Sequence, residues 1–195
     1  MQLDAVTVMR DIRDHLARGA TSRKSPMHTP VVGTADGDLR VMVLREYDAD
    51  RHQLRFHTDA RSPKVAAIDS DGAVNILAYD AEAKVQIRIR GTGKVETDTP
   101  RVDALWADST TFARRCYLAH TAPSGSSPEP TSGLPKWAEG LQPTEEQVAP
   151  GRPNFAVLMV QVTHYDWLYL SNDGHRRAGV TVGTQGGASL EWLVP

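Results

Sequence analysis

The clearest periodicity in the chain runs from Lys84 to Gly91, where apolar and polar side chains alternate strictly. Successive side chains of a strand point to opposite faces, so this spacing places Val85, Ile87 and Ile89 on one face. The amide and the cations of the segment, Lys84, Gln86, Arg88 and Arg90, fall on the other face. The pattern predicts a half-buried β-strand whose second face is basic.

Similar apolar segments, separated by turn residues, predict further strands on both sides of this one. Residues 29–35 and 39–46 form a hairpin around Asp36-Gly37, a dipeptide that favours tight turns. The other predicted strands are residues 53–59, 72–79, 84–97, two strands within 154–171, and then 175–182 and 188–195. Short turns between consecutive strands favour antiparallel order, and this number of strands favours a barrel or a sandwich.

Three segments have helical spacing instead. Residues 4–18 repeat apolar side chains at helical intervals, with Asp4 as the N-cap and Gly19 as the stop. Residues 61–71 predict a short helix with Pro63 in its first turn, where an N–H has no intrahelical partner. Residues 98–119 predict another helix, and together the helices flank the predicted sheet.

The segment 120–153 has a different composition, because it contains seven of the chain's twelve prolines. Such a composition does not sustain regular elements and predicts a long surface excursion. A lid over a site is one interpretation of the excursion, and an ordinary flexible loop is the simpler one. No internal repeat or second domain is indicated, so residues 1–195 are expected to form one domain.

The bulk properties restrict the function only loosely. The chain of 195 residues has a net charge of −2, which gives no sign of a nucleic-acid partner. The single cysteine, Cys116, suits a reducing cytoplasm and is expected to be a buried structural thiol. The amino terminus lacks the apolar segment of a signal peptide, and no stretch is long enough to cross a bilayer. These features predict a soluble, cytoplasmic protein with no membrane partner.

Several common site chemistries lack support in the sequence. The segment Gly91-Thr92-Gly93-Lys94 has neither the first glycine nor the Ser or Thr of a phosphate-binding loop. The seven histidines form no H-x-x-x-H pair and no cluster with cysteine, so no metal site is expected. Serine, histidine and aspartate occur without a nucleophile-elbow motif.

Cations stand at the ends of three apolar β segments: RVMVLR at 40–45, RSPK at 61–64 and QIRIRG at 86–91. Arginine and lysine supply the fixed positive charge and the N–H donors that phosphate requires. In a small barrel these three segments are expected to line one anion pocket. Solvated edge-strand charges, which discourage aggregation, are the alternative for Arg88 and Arg90.

In order along the chain, RVMVLR, HTDARSPK, QIRIRG, the Trp167…His175-Arg176-Arg177 tail and the final EWLVP resemble the pyridoxamine 5′-phosphate oxidase-like family. The resemblance extends from about residue 29 to residue 195. It implies a mainly β (α+β) fold, an antiparallel split β-barrel with flanking helices. It also implies binding of flavin mononucleotide (FMN) at the interface of a homodimer.

The resemblance assigns cofactor contacts to this chain residue by residue. Arg40 and Arg45 stand at the two ends of the family's R-x-x-x-x-K motif, with Arg45 facing the flavin ring. The full set of implied cofactor-binding residues is Arg40, Val41, Met42, Val43, Leu44, Arg45, His57, Thr58, Arg61, Ser62, Lys64, Gln86, Arg88, Trp167 and Arg177. Arg40, Arg61 and Lys64 would hold the phosphate, whereas Trp167 and Arg177 would reach the cofactor from the partner chain.

The chain departs from the family pattern mainly where the vitamin oxidase holds its substrate phosphate. Asp173 replaces the first arginine of the R-L-H-D-R tail, and Thr111 replaces the tyrosine of the Y-F-x-x-R helix. Arg115 and His175 remain as substrate-binding candidates. Arg45 also stands where the family has a lysine, and a planar guanidinium hydrogen-bonds differently from an ammonium group.

The resemblance therefore implies an FMN-dependent oxidoreductase that transfers hydride between a small substrate and the flavin. The substrate is not expected to be a vitamin B6 phosphate. Two alternatives stay open: a deazaflavin-dependent reductase of the same fold, and a flavin- or haem-binding carrier or sensor without turnover. Three of the assigned residues also have a non-functional interpretation. Trp167 would be a core residue, His57 an ordinary strand residue and His175 a turn residue.

Overall fold

In a computed structural model, which describes residues 4–183 and 187–195, the chain is built around the long strand β7, Phe155–Tyr169. Residues 1–3, included in the expectation for the amino terminus, lie outside this range. One edge of β7 pairs along its length with β6, Val85–Glu96. The other edge pairs first with β4, Gln53–Asp59, and then with β8, Arg176–Val182. This division of one edge between two partners splits the sheet into two arms.

The remaining strands extend these arms, and every pairing among the described residues is antiparallel. The order is β2-β1-β5-β6-β7-β4-β3, with β9 beside β8. The strands not yet placed are β1 Val31–Thr34, β2 Leu39–Val41, β3 Leu44–Asp48, β5 Ala73–Asp80 and β9 Ala188–Leu193. The predicted antiparallel α+β fold is confirmed, and the nine described strands form a sheet that is not closed.

Strand β6 has the predicted alternation. Val85, Ile87 and Ile89 are buried, and Arg88 and Arg90 are exposed. The register of β6 on β7 shifts between Arg90 and Gly91, where a Cβ on the glycine would lie 2.4 Å from the carbonyl oxygen of Gln161. Glycine is therefore required at this close approach of two strands.

Two strand predictions are wrong in their boundaries. The segment 39–46 is not one strand, because the chain leaves β1 after Val41 and pairs with β4 from Leu44 onward. The segment 154–171 contains one 15-residue strand rather than two. Its first part, from Phe155 to Val160, is buried at every position, so it lacks the alternation of polar and apolar residues that identifies a half-buried strand.

Helix α1, Ala5–Thr21, begins as predicted, since Asp4 Oδ1 accepts the Thr7 N–H at 2.8 Å. It continues past Gly19, however, and does not stop there. A Cβ on Gly19 would lie 2.8 Å from the carbonyl oxygen of Met27, so the glycine admits the short 3₁₀ turn Pro26–His28 against the helix. The apolar face of α1, with Val8, Ile12 and Leu16, packs into the main core against the sheet.

The other helices are shorter. Helix α2, Pro63–Ser70, matches its prediction, but the helix predicted over 98–119 is divided into α3, Pro100–Asp108, and α4, Thr111–Arg114, with the 3₁₀ turn Arg115–Leu118 after them. Helix α3 packs on the start of β7 in a second small core, formed by Val102, Trp106, Val148, Phe155, Val157 and Met159.

The proline-rich excursion is irregular at first and then includes helical turns that its composition did not predict. They are the 3₁₀ turn Lys136–Ala138, helix α5, Glu145–Val148, and the 3₁₀ turn Ala149–Asn154. The guanidinium group of Arg114 bonds Glu145 at 2.6 Å, and that of Arg115 donates to the carbonyl oxygens of Ala138 and Leu141 at 3.2 and 2.8 Å. These contacts fasten the excursion to the domain. Among the described residues, no helix is long and apolar enough to cross a membrane.

Candidate functional site

The predicted cofactor residues meet at a cavity of about 330 Å³, hereafter the cation-lined cavity. The β2–β3 connection, the end of β4, the start of α2 and the 3₁₀ turn Arg115–Leu118 border it. Its lining residues are Arg40, Val41, Met42, Val43, Arg45, His57, Thr58, Asp59, Lys64, Cys116, Tyr117 and Pro123. The switch of the chain from β1 to β4 thus turns the RVMVLR segment into one wall of the cavity.

Lys64 is one of the three cations that line this cavity. Its Nζ donates to Ser62 Oγ at 2.9 Å and to Thr58 Oγ1 at 3.3 Å, and it makes no ion pair with a described residue. Burial, together with the positive charge of Arg40, lowers the pKa of the Lys64 ammonium group. An ammonium group that is half-buried among hydroxyls is well placed to bind an anion.

The start of helix α2 adds to the positive potential beside Lys64. Its N-cap, Ser62, makes no side-chain capping bond, because the hydroxyl group donates to the carbonyl oxygen of Asp59 at 2.8 Å. Pro63 occupies the first helical turn. The amino-terminal end of a helix carries a partial positive charge, so an anion beside Lys64 gains from the helix as well.

Arg40 lies on the same cavity with only 17% of its side chain exposed. Its guanidinium group donates to Thr34 Oγ1 at 3.0 Å and forms an ion pair with Asp38. Asp38 itself is 64% exposed, so water competes for that pair. Arg40 therefore keeps a fixed position while it shares its charge with an exposed carboxylate.

Three of the predicted cofactor residues in this part of the chain do not line the cavity. Arg61 bonds Asp59 through Nε and Nη2, at 3.0 and 2.7 Å, and donates to the carbonyl oxygen of Ala119 at 2.9 Å. This guanidinium group links the end of β4 to the residue that follows the 3₁₀ turn Arg115–Leu118. Leu44 is buried in the core, and Ser62 contributes through its bond to Lys64.

His57 and Arg45 lie on the same cavity. The imidazole Nε2 is 2.8 Å from Nη1 of Arg55, and the ring meets Phe155 edge to face with centroids 4.9 Å apart. Burial, and then the charges of Arg45 and Arg55, lower the pKa of His57 to about 3. The ring is therefore neutral near pH 7. Burial also lowers the pKa of Arg45, which is still far above neutrality for a guanidinium group.

Cys116, Tyr117 and Pro123 were not predicted as site residues, yet they form the cavity wall opposite β4. They lie more than fifty residues after the RSPK segment, and nothing in the sequence indicated that they would be close to it in the fold. Cys116 is exposed, so the expectation of a buried thiol is wrong. Burial raises the pKa of the Tyr117 phenol, and its ring packs edge to face on Phe155 with centroids 5.1 Å apart.

The predicted residues of the second set, Gln86, Arg88 and Arg177, lie elsewhere on the sheet and do not line the cation-lined cavity. Gln86 and Arg177 both stand opposite Leu168 of β7, on the face turned away from Val85 and Ile87. The expectation that all three cationic segments line one pocket within the chain is therefore wrong. A single copy of the chain does not bring the two sets to one cavity.

Asp166 organises the second set and was not predicted. It is 3% exposed and accepts Arg177 Nε at 3.0 Å and Arg177 Nη2 at 2.7 Å. Arg88 bonds the same carboxylate, so two guanidinium groups are fixed by one buried acid. Burial alone would raise the pKa of Asp166, but these bonds outweigh it and lower the pKa below its ordinary value.

Trp167 faces the opposite side of β7 and is 3% exposed. Its indole Nε1 donates to Asp11 Oδ2 at 2.7 Å, which joins β7 to helix α1. Trp167 is therefore packed in the core, which was the alternative to a cofactor contact in the sequence analysis.

The two substrate-binding candidates have unequal surroundings. Arg115 is committed to the carbonyl oxygens of the excursion and packs over the Phe112 ring, 4.3 Å from its centroid. His175 is exposed in the turn before β8, close to the equally exposed Asp173. Neither residue lines the cation-lined cavity.

The described residues fit a phosphorylated planar cofactor better than a metal ion. A phosphate would be held by Lys64, Arg40, the Thr58 hydroxyl group and the start of α2. Arg45 and His57 line the same cavity and would border the ring. Among residues 4–183 and 187–195, no three side chains of metal-ligating type lie together.

Comparison with known proteins identifies the same region. Residues 10–97 match the family model of the pyridoxamine 5′-phosphate oxidase FMN-binding domain, which confirms the predicted resemblance over that segment. The matched segment contains Arg40, Arg45, His57, Thr58 and Lys64, and it ends just after β6. No curated protein sequence matches the chain.

Solved structures with the same fold extend over the whole chain. A pyridoxamine 5′-phosphate oxidase-related, FMN-binding protein of Nostoc punctiforme is 22% identical, with a TM-score of 0.73 and 100% of both chains covered. PhzG of Burkholderia lata, solved with tetrahydrophenazine-1-carboxylic acid, is 17% identical, with a TM-score of 0.69 over 96% of this chain and 92% of PhzG. At these identities the similarity establishes the fold.

Proposed function

We propose that the chain binds FMN and uses it as a flavin-dependent oxidoreductase acting on a small substrate. The observation that carries the proposal is the position of Lys64, which lies with Arg40 and Thr58 on one cavity and has no carboxylate partner among the described residues. This arrangement lies inside the segment that matches the FMN-binding family model. A phosphate at Lys64 would receive both a charge and several hydrogen bonds.

The flavin ring is proposed to lie beside Arg45 and His57. Bound FMN would supply the two-electron redox chemistry, and the protein groups would supply position and electrostatics. Arg45 brings a permanent positive charge to this end of the cavity. A cation beside the ring favours any negative charge that develops there.

A homodimer is the proposed assembly, with each flavin site completed by the partner. At about 330 Å³ the cation-lined cavity is near the lower limit for a site that encloses a whole cofactor. Gln86 and Arg177 lie on another face of the sheet, where Leu77 and Tyr79 are 40% and 44% exposed. Association of two copies through this face would bury the apolar side chains and bring Gln86 and Arg177 of one copy to the cavity of the other.

The vitamin B6 phosphates are not the proposed substrates. Asp173 would repel a substrate phosphate where the vitamin oxidase presents an arginine, and Arg115 is already bonded to carbonyl oxygens of the excursion. The proposal is therefore an oxidoreductase for another small molecule.

The purified protein tests the cofactor directly. We expect a flavin absorption spectrum, release of FMN on denaturation, and tighter binding of FMN than of riboflavin, which lacks the phosphate. Protein that neither carries flavin nor binds added FMN at micromolar concentration would contradict the proposal.

A further inference from the structure

The contact between Arg55 and His57 fixes which nitrogen of the imidazole carries the proton. Arg55 Nη1 lies 2.8 Å from His57 Nε2. A guanidinium group donates hydrogen bonds and accepts none, so Nε2 must be the acceptor. In the neutral ring the single proton is then on Nδ1.

Both partners of this contact are held in place. Arg55 Nε donates to Glu46 Oε2 at 2.6 Å, and only 14% of the Arg55 side chain is exposed. The edge-to-face contact with Phe155 orients the His57 ring from the side of β7. Glu46, Arg55 and His57 therefore form a chain of oriented groups that ends at the cavity.

The opposite nitrogen, Nδ1, has no partner among the described residues, although the His57 ring lines the cavity. The charged and titratable groups around the ring are Arg55 on the same strand, Arg45 on β3 and Tyr117 on the opposite wall. The first two are cations, and Tyr117 is kept neutral by burial. Burial of the ring, and then the repulsion between a protonated ring and these two cations, favour the neutral form of His57 and lower its pKa to about 3.

We infer that His57 is a neutral hydrogen-bond donor, acting through Nδ1–H on an acceptor atom of the bound flavin, with Arg55 and Glu46 as the positioning residues. The inference rests on the proposed FMN site and adds a specific role to one of its residues. A histidine with the ordinary pKa of about 6.5 would titrate in the physiological range, whereas a ring fixed as the neutral Nδ1–H form keeps the same donor. The consequence is flavin binding that does not change with the protonation of His57.

The tautomer is measurable without any cofactor. Long-range ¹H–¹⁵N correlation spectra of the ¹⁵N-labelled protein distinguish protonated from bare imidazole nitrogens, and the His57→Gln variant identifies the His57 signals. We expect a protonated Nδ1 and a bare Nε2, unchanged between pH 5 and 8. A protonated Nε2, or titration of the ring within this range, would overturn the inference.

Variants of Arg55 test the cause of the tautomer. Arg55→Met removes the donor to Nε2, so part of the molecules should carry the imidazole proton on Nε2 instead of Nδ1. FMN binding should weaken because the Nδ1–H donor is then only partly available, while burial and Arg45 keep the ring neutral. Arg51→Met is the matched control, because the Arg51 side chain is exposed and, within residues 4–183 and 187–195, forms an ion pair only with Asp48, at 3.6 Å. A proton that stays on Nδ1 alone in Arg55→Met would show that Arg55 does not set the tautomer of the ring.

The flavin contact itself is tested with His57→Phe, which keeps an aromatic ring against Phe155 but has no donor, and with His57→Gln, which keeps one. Loss of a neutral hydrogen bond predicts FMN binding weakened by roughly three- to tenfold in His57→Phe. His57→Gln should recover part of that loss. Equal FMN affinity in the wild type and His57→Phe would overturn the donor role and leave the proposed FMN site intact. Absence of FMN binding by the wild type would overturn both.

Discussion

The indole N–H of Trp167 donates to the carboxylate of Asp11, with 2.7 Å between Nε1 and Oδ2. This bond connects the central strand β7 to helix α1, across 156 residues of sequence. The same carboxylate lies 3.3 Å from Nδ1 of His15, one turn further along the helix. Helix α1 is thus fixed on the barrel by a polar contact as well as by its apolar face.

The first prediction concerns the strength of this polar contact. Trp167→Phe keeps an aromatic ring in the core but removes the donor to Asp11. A hydrogen bond to a charged group contributes about 1.5–3 kcal/mol, so the free energy of unfolding should fall by an amount of this order. Urea unfolding of Trp167→Phe and of Trp137→Phe measures the effect against a control, because Trp137 is 44% exposed. Equal stability of the two variants would contradict the assignment.

The second prediction concerns pH. The hydrogen bond to Asp11 raises the pKa of His15 above its ordinary value, despite the opposing effect of burial. A group whose pKa is higher in the folded state stabilises the fold fully below its unfolded pKa, about 6.5, and loses that contribution as the pH rises through the folded value. The stability that His15 contributes should therefore decrease as the pH rises above about 6.5.

His15→Gln removes this titration, and His120→Gln is its control, because His120 is exposed and makes no side-chain bond among the described residues. The difference in unfolding free energy between the wild type and His15→Gln should shrink as the pH rises. The same comparison for His120→Gln should show no such trend. A difference for His15→Gln that stays constant across the range would show that His15 is not linked to stability in this way.

The parts of the fold that follow from local pattern could be predicted, and those set by distant pairing could not. Strand β6 is buried on one face and exposed on the other, so apolar and polar residues alternate in its sequence and the strand could be predicted. The break at Met42 and Val43 does not, since the apolar run continues while the chain changes partners from β1 to β4. Strand β7 was predicted as two strands because residues 155–160 are buried on both faces and show no alternation.

The candidate site divides in the same way. Arg40, Thr58 and Lys64 could be predicted together, because family motifs and clustered cations mark them in the sequence. Arg61 belongs to the same motif, but its guanidinium group is engaged by Asp59, two residues before it. Tyr117 reaches the cavity through its packing on Phe155, 38 residues further along the chain, which no local spacing encodes.

The third prediction tests the phosphate contact. Lys64→Met should weaken FMN binding at least tenfold, because a charge-assisted contact at a phosphate contributes about 1.5–3 kcal/mol. Riboflavin, which has no phosphate, should bind the variant and the wild type almost equally. Lys94→Met is the control, since Lys94 is exposed on β6. Parallel titrations that show equal losses for FMN and riboflavin would place the phosphate elsewhere.

The fourth prediction concerns assembly. Light scattering of the wild type should give twice the chain mass of 21.4 kDa. Leu77→Glu places a charge on the exposed apolar face of the sheet and should shift the protein towards monomer, with weaker FMN binding. Leu141→Glu alters an equally apolar but separate position, 59% exposed on the excursion, and should leave the mass unchanged. A monomer that holds one FMN per chain would contradict the shared site.

The last prediction concerns the substrate. Asp173 lies in the exposed turn before β8, where the vitamin oxidase has an arginine, and Thr111 at the start of α4 lacks the phenol of that enzyme. Replacing a cation by an anion removes a charge-assisted bond and adds repulsion, and Arg115 cannot compensate while it donates to the carbonyl oxygens of Ala138 and Leu141. The FMN-loaded protein should therefore oxidise pyridoxine and pyridoxamine 5′-phosphates very slowly or not at all. Steady-state assays that follow peroxide release decide the matter. A specificity constant of about 10⁴ M⁻¹s⁻¹ or above would show that the chain binds the substrate phosphate despite Asp173.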